Sequence, residues 1–207
     1  MSLPLACSDV QPVDGQAGVD EAGCGSLMGP LVAAAIVLPM EPLPCHAKLR
    51  DSKTVSAPRR AALAAQIRAS AHVGVGVVEH TEIDEHGLGW ARREVFQRAL
   101  RALPQPPPSV VVDGSGFFEG LEGHPGVPYR CIPKADGLYQ NVAAASLVAK
   151  SHRDECVHAL AAAHPEWDDR YQWSRNKGYP TAAHIAALRE WGVVAYHRKS
   201  FGPCRHS

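Results

Sequence analysis

Two apolar stretches joined by a glycine-rich turn limit the folds open to this chain more than any other feature. Residues 16–22 (QAGVDEA) and 31–38 (LVAAAIVL) read as strands, and the CGSLMGP connection between them is too short for a crossover. The two strands must therefore pair antiparallel. The longest apolar run, 31–39, is about half of what spans a bilayer. With 207 residues, 45% of them apolar, the chain matches one ordinary globular domain.

The remaining pattern alternates helices and strands. Residues 57–70 (APRRAALAAQIRAS) read as a helix with Ser56 as N-cap and Pro58 in its first turn. Residues 72–79 place Val73, Val75 and Val77 in strand alternation. Thr81, with Asp84 three residues on, signals the start of a helix running to about 102. SVVVDG reads as a short buried strand, 114–126 as a glycine-rich loop and VPYRCI as a further strand. Helices are expected over about 138–163 and 181–190. An antiparallel start followed by strands separated by helices predicts an α/β fold with a mixed sheet. Residues 1–14 are expected to form a mobile tail ahead of a single domain over 15–207.

Charge is balanced in total and uneven along the chain. Residues 1–47 carry five acids and no Lys or Arg, whereas 170–207 carry seven bases against Glu190 alone. Tyr171, Trp173, Tyr179, Trp191, Tyr196 and Phe201 are interleaved with those bases. Such a segment is either a surface for phosphates and stacking or a solvated stretch with buried aromatics. The six cysteines form no CxxC pair, and no basic residue precedes Lys48. A cytoplasmic protein without leader, zinc ribbon or disulfide framework is expected.

The chemistry-bearing residues sit at strand ends. Asp20 and Glu21 close the first strand before Gly23-Cys24-Gly25, Asp113 closes VVVDG, and Asp136 lies in KADG before the long helix. A single strand-terminal Asp is most often a turn former. Several at the ends of core strands repel one another unless a cation lies among them. Hard oxygen donors without a nearby His or Cys point to Mg²⁺ or Mn²⁺. Two such ions would suit an in-line displacement at phosphorus. No GxxxxGK[ST] loop occurs, which argues against a P-loop phosphotransferase. The eleven histidines show no ligand spacing, and most of them read as solvated or singly hydrogen-bonded rings. Asp154 reads as the partner of a base one turn away, such as Lys150, and the AAAS stretch as small residues seating a helix on the sheet.

These motifs taken together resemble the ribonuclease HII family. The resemblance runs from GVDEAGCGSLMGPLVAAAIVLP through LRDSKTVS, VVVDG, KADGLYQNVAAASLVAKSHRDE and NKGYPTAAHIAAL to YHRKSFGP, residues 18–203. It implies a ribonuclease H-like fold, a five-stranded mixed sheet flanked by helices with a C-terminal helical segment. It also implies cleavage of RNA in RNA–DNA hybrids and 5′ to single ribonucleotides in duplex DNA, leaving 5′-phosphate and 3′-hydroxyl ends. By the same resemblance Asp20, Glu21, Asp113 and Asp136 are the metal-binding acids for two Mn²⁺ or Mg²⁺ ions. Gly23, Cys24 and Gly25 match a Gly-Arg-Gly turn that reads the 2′-hydroxyl largely through its backbone. Lys53 resembles a phosphate contact and Tyr179 a ring packed on the sugar at the RNA–DNA junction. A monomer acting on nucleic acid, with no membrane partner, is the expected working form. Cys24 departs from the family's arginine, and its thiol is expected either beside phosphate or turned inward.

Overall fold

The structure is a computed structural model and describes residues 13–40, 56–116 and 118–205. Lys53 and most of the expected tail lie outside the described residues.

Five strands form one sheet in the order β3-β2-β1-β4-β5: β1 (Ala17–Ala22), β2 (Leu31–Val37), β3 (His72–Val78), β4 (Val110–Asp113) and β5 (Tyr129–Ile132). The expected hairpin is present, with β1 antiparallel to β2 from Ala17↔Val37 to Ala22↔Val32. β3 adds antiparallel to β2, while β4 and β5 run parallel to β1. β2 is buried over its first six residues because helices cover both of its faces, so it shows no polar alternation.

On one face lies α3 (Leu88–Arg101), which packs Val95, Phe96, Ala99 and Leu100 against Val19, Ala33, Ala35 and Val112. The other face is covered by α1 (Ala57–Ser70) and α4 (Gln140–Ala163). Ala143, Ala144, Ala145 and Ala149 of α4 share a core with Ala34 and Ile36, so the small side chains seat that helix close to the sheet. A third core joins Leu27, Met28 and Val157 to the C-terminal helices α5 (Pro165–Tyr171), α6 (Trp173–Asn176), α7 (Ala182–Trp191) and α8 (Gly202–Arg205). Tyr171 and Trp173 are fully buried there, and of the C-terminal aromatics Tyr179 and Trp191 are the exposed ones. The buried-aromatic alternative therefore holds for the middle of that segment. No helix among the described residues is long and apolar enough to cross a membrane.

Two local expectations are corrected. Ser56 occupies the N-cap of α1 but its hydroxyl makes no capping bond. The expected helix over 81–102 is broken into α2 (His80–His86) and α3 by Gly87, whose φ is 83°. Its start is a reciprocal box between Glu79 and Glu82, not Thr81 and Asp84. Asp84 is used elsewhere: its carboxylate accepts from the Lys199 and Ser200 N–H groups at 2.8 Å each and from the Ser200 hydroxyl at 2.6 Å. It thus ties the C-terminal segment to the α2–α3 corner. Asp84→Ala leaves those donors without an ionised acceptor and is expected to cost about 2 kcal/mol, or about 6 °C in Tm. A thermal melt equal to the parent's would show that residues 199–200 are held by other contacts.

Candidate active site

The parallel register of β1 and β4 places two carboxylates side by side. Val19 pairs with Val112, so the next residues at the strand ends are Asp20 and Asp113. Strand alternation turns Asp20 to the α4 face, where it accepts from the Ser146 hydroxyl. Glu21 points to the opposite face and meets Arg92 of α3 at 2.6 Å. Asp113 accepts from the Ala135 N–H at 2.6 Å, which docks a 3-10 turn (Ala135–Gly137) carrying the buried Asp136 beside it. Burial first, then Glu21 and Asp113, pushes the Asp20 carboxyl up to about 8. Burial, with a contribution from Asp113, also raises Glu21 against the pull of Arg92.

The turn after β1 is held from beneath by two buried arginines. Arg198 donates to the carbonyls of Gly23 at 2.8 Å, Cys24 at 3.2 Å and Gly29 at 3.0 Å. Arg153 donates to the Ser26 hydroxyl and, at 2.9 Å, to the Lys177 carbonyl. The carbonyls of residues 23 and 24 are thereby turned inward. Gly23 has φ 97°, and a Cβ there would lie 2.2 Å from Arg153 Nε, so any side chain would displace the guanidinium. The Cys24 thiol is turned inward: it lies 3.5 Å from Glu21 Oε1 and packs partly against the core, and burial pushes it up to about 12.

Tyr179 stands across the groove, 38% exposed, with the Arg153 guanidinium 5.2 Å from its ring centre. Gly178, at φ 75°, has no room for a Cβ, which would lie 2.6 Å from Met28. Glu21, the 23–25 turn, Ser146, Tyr179, Arg60 and Lys150 line a cleft of about 300 Å³. Glu21 is the acid among these lining residues, and Arg60 and Lys150 are the bases. Asp154 is not the partner of Lys150: it forms its ion pair with Arg60 at 2.7 Å, across to α1.

Comparison with known proteins gives this arrangement a family. The ribonuclease HII family model matches residues 17–204. The chain belongs to the ribonuclease HII family. The ribonuclease HII of Christiangramia forsetii is 44% identical over 186 residues, 89% of each chain, and that of Shewanella piezotolerans is 43% identical over 194 residues, 92% and 90% of the two chains. Among solved structures, ribonuclease H2 from Pyrococcus horikoshii superposes with a TM-score of 0.73 at 24% identity over 92% of this chain and 95% of that one. The ribonuclease HII of Archaeoglobus fulgidus, solved as a complex with PCNA, gives 0.68 at 29% identity over 85% and 86%. Membership makes the chain a ribonuclease H-type endonuclease, and the ribonuclease H-like mixed sheet is the expected one.

Several residues of the ribonuclease HII site had no role assigned from sequence. Arg92, Ser146, Arg153 and Arg198 all touch the acids or the turn, yet an arginine or a mid-helix serine carries no local sign of burial. His184 and His197 stand apart from the solvated or singly bonded majority expected of the histidines, since both are fully buried and each makes more than one hydrogen bond.

The donor chemistry fits a hard divalent cation, because burial combined with mutual repulsion holds a proton on Asp20 where a cation could replace it. Among the described residues no three His, Cys, Asp or Glu side chains yet converge as an ion site, and Glu21 is turned onto Arg92. The raised Asp20 has a consequence for stability. Its carboxyl ionises near 3.8 when unexposed to the fold and near 8 within it, so the folded chain keeps a proton that the unfolded chain has lost. Stability therefore falls as pH rises from about 4 through about 8. The buried histidines act oppositely, below their ordinary 6.5, and have finished titrating above it. Metal-free Tm is expected to drop by at least about 3 °C between pH ~6.5 and ~8.5, and Asp20→Asn should flatten the profile. A flat parent profile would contradict the repulsion.

Proposed function

We propose that the protein cleaves RNA in RNA–DNA hybrids and the phosphodiester 5′ to a single ribonucleotide embedded in duplex DNA. The observation that carries this reading is the strand register that sets Asp20 beside Asp113, next to a cleft that Glu21 lines together with the 23–25 turn and the exposed Tyr179. An acidic pocket of this kind would repel a phosphodiester by itself, and only with cations among its carboxylates does it attract one.

Asp20, Glu21, Asp113 and Asp136 are the residues that would hold two Mg²⁺ or Mn²⁺ ions. Bound there, the ions would supply a water of lowered pKa and neutralise charge on the departing 3′-oxygen. The chain's own groups do the rest. Ser146 orients the Asp20 carboxylate by donating to it, and Arg92 balances the charge of Glu21, which would exchange that partner for an ion. The N–H groups of the 23–25 turn, fixed by Arg198, come close enough to hydrogen-bond a 2′-hydroxyl, because Gly23 and Gly25 bring no side chain between. In this reading Cys24 contributes its backbone and not its side chain, consistent with the inward thiol. Tyr179 packs on the sugar beside the ribonucleotide, while Arg60 and Lys150 face the flanking phosphates.

Incubation with Mn²⁺ or Mg²⁺ and an end-labelled duplex carrying one ribonucleotide, beside an all-DNA duplex, tests the proposal. A single cut 5′ to the ribonucleotide, ending in a 3′-hydroxyl, is expected, with the all-DNA duplex intact. Asp20→Asn should lower that rate by more than about 100-fold while the protein still melts cooperatively. Equal cutting of both duplexes, or ordinary turnover by Asp20→Asn, would overturn it.

A further inference from the structure

His184 on α7 and His197 in the YHRKSF segment face each other in the interior, with Nε2 to Nε2 at 3.1 Å and no exposure of either residue. Their outer nitrogens fix the direction of this bond. The Val194 N–H points at His197 Nδ1 from 3.0 Å, so that nitrogen must accept and the proton must sit on His197 Nε2. That proton is directed at His184 Nε2, which must accept in turn. The remaining proton of His184 therefore sits on Nδ1, 3.0 Å from the carbonyl oxygen of Tyr179. One unidirectional chain runs from the Val194 N–H through both imidazoles to the Tyr179 carbonyl. A second proton on either ring would set donor against donor, and burial opposes that charge in both.

The backbone that receives this bond needs support. Lys177 and Gly178 are consecutive left-handed residues, at φ 54° and 75°, immediately before Tyr179. Gly178 accepts from the Leu27 N–H at 2.8 Å, and the Leu27 carbonyl accepts from the Arg198 N–H at 2.8 Å. Met28 bridges to His197. The histidine pair therefore closes a ring of contacts from His197 through residues 27–28 to 178–179 and back. The ring couples the spacing between the 23–25 turn and Tyr179 to the bond between the two imidazoles.

We infer that His184 and His197 are positioning residues for Tyr179, and that the His184 Nδ1–H bond sets the preference for a single embedded ribonucleotide over a long hybrid. The inference rests on the proposed packing of Tyr179 against the sugar.

Amide side chains can keep one imidazole nitrogen at a time. At position 184 asparagine places its amide near Nδ1, keeping a donor to Tyr179, whereas glutamine reaches the Nε2 position and keeps the contact with His197. The readout is the ratio of kcat/KM on a one-ribonucleotide duplex to that on a long RNA–DNA hybrid, with a thermal melt of each form. Tyr179→Ala and His184→Gln should each lower the ratio by about five- to tenfold, and His184→Asn should keep it within about threefold. His184→Gln combined with Tyr179→Ala should fall no further than Tyr179→Ala alone. Equal losses in His184→Gln and His184→Asn that track Tm, or additive losses in the double variant, would reduce the pair to core packing and overturn the inference. A fall with Tyr179→Ala but none with His184→Gln overturns the inference alone. No change of ratio with Tyr179→Ala overturns the reading of Tyr179, and the inference with it. Long-range ¹H–¹⁵N spectra of the unaltered protein give a test that no folding defect can obscure. His184 is expected as the Nδ1–H tautomer and His197 as the Nε2–H tautomer, and any other pairing breaks the chain.

Discussion

The parallel pairing of β1 with β4 is the constraint on which the rest of the site depends. It carries Asp20 and Asp113 to the same height at the sheet's edge, on the face covered by α4, where little water reaches Asp20. Burial first, then the neighbouring charges of Glu21 and Asp113, raise the Asp20 carboxyl, and the result is the proton retained there. Nearby features answer that tension: the Ser146 hydroxyl donates to Asp20, Arg92 compensates Glu21, and the Ala135 N–H donates to Asp113. These partners offset part of the repulsion and leave the remainder to be relieved by a cation.

A second constraint shapes the opposite wall of the cleft. Arg153 and Arg198 are almost wholly buried and spend most of their donors on backbone carbonyls and on Ser26, with Arg153 Nε and one Arg198 Nη left over. Burying a guanidinium is costly unless its donors are used, so these residues lock the chain they bind into one path. The path they lock is the 23–29 turn together with residues 177–179. Recognition elements on loops thereby gain the rigidity usually supplied by strands and helices.

Local chemistry made part of this visible in the sequence. The β1–β2 hairpin follows from the length of its turn, and the strand-end acids stand out because a glycine turn follows within a few residues of each. The adjacency of Asp20 to Asp113 is a matter of register between strands 93 residues apart, which no local pattern encodes. Gly87 and Gly89 mark weak first turns in the sequence, but Thr81 and Asp84 mimic a capping box there while Asp84 serves a distant segment. The basic count over 170–207 overstates the surface charge, since Arg198 lies in the interior. Nothing in the sequence marks which histidines depart from the solvated or singly bonded majority, because the directed bond between His184 and His197 joins two separate segments.

Proton release on metal binding tests the central claim most directly, namely that a cation replaces the proton which burial and the neighbouring acids hold on Asp20. Calorimetric titration of Mn²⁺ into the protein at pH ~7, repeated in buffers of different ionisation enthalpy, counts the protons displaced. The account predicts release of close to one proton in the parent protein and a much smaller release in Asp20→Asn. Tight Mn²⁺ binding by the parent with no proton released would contradict it.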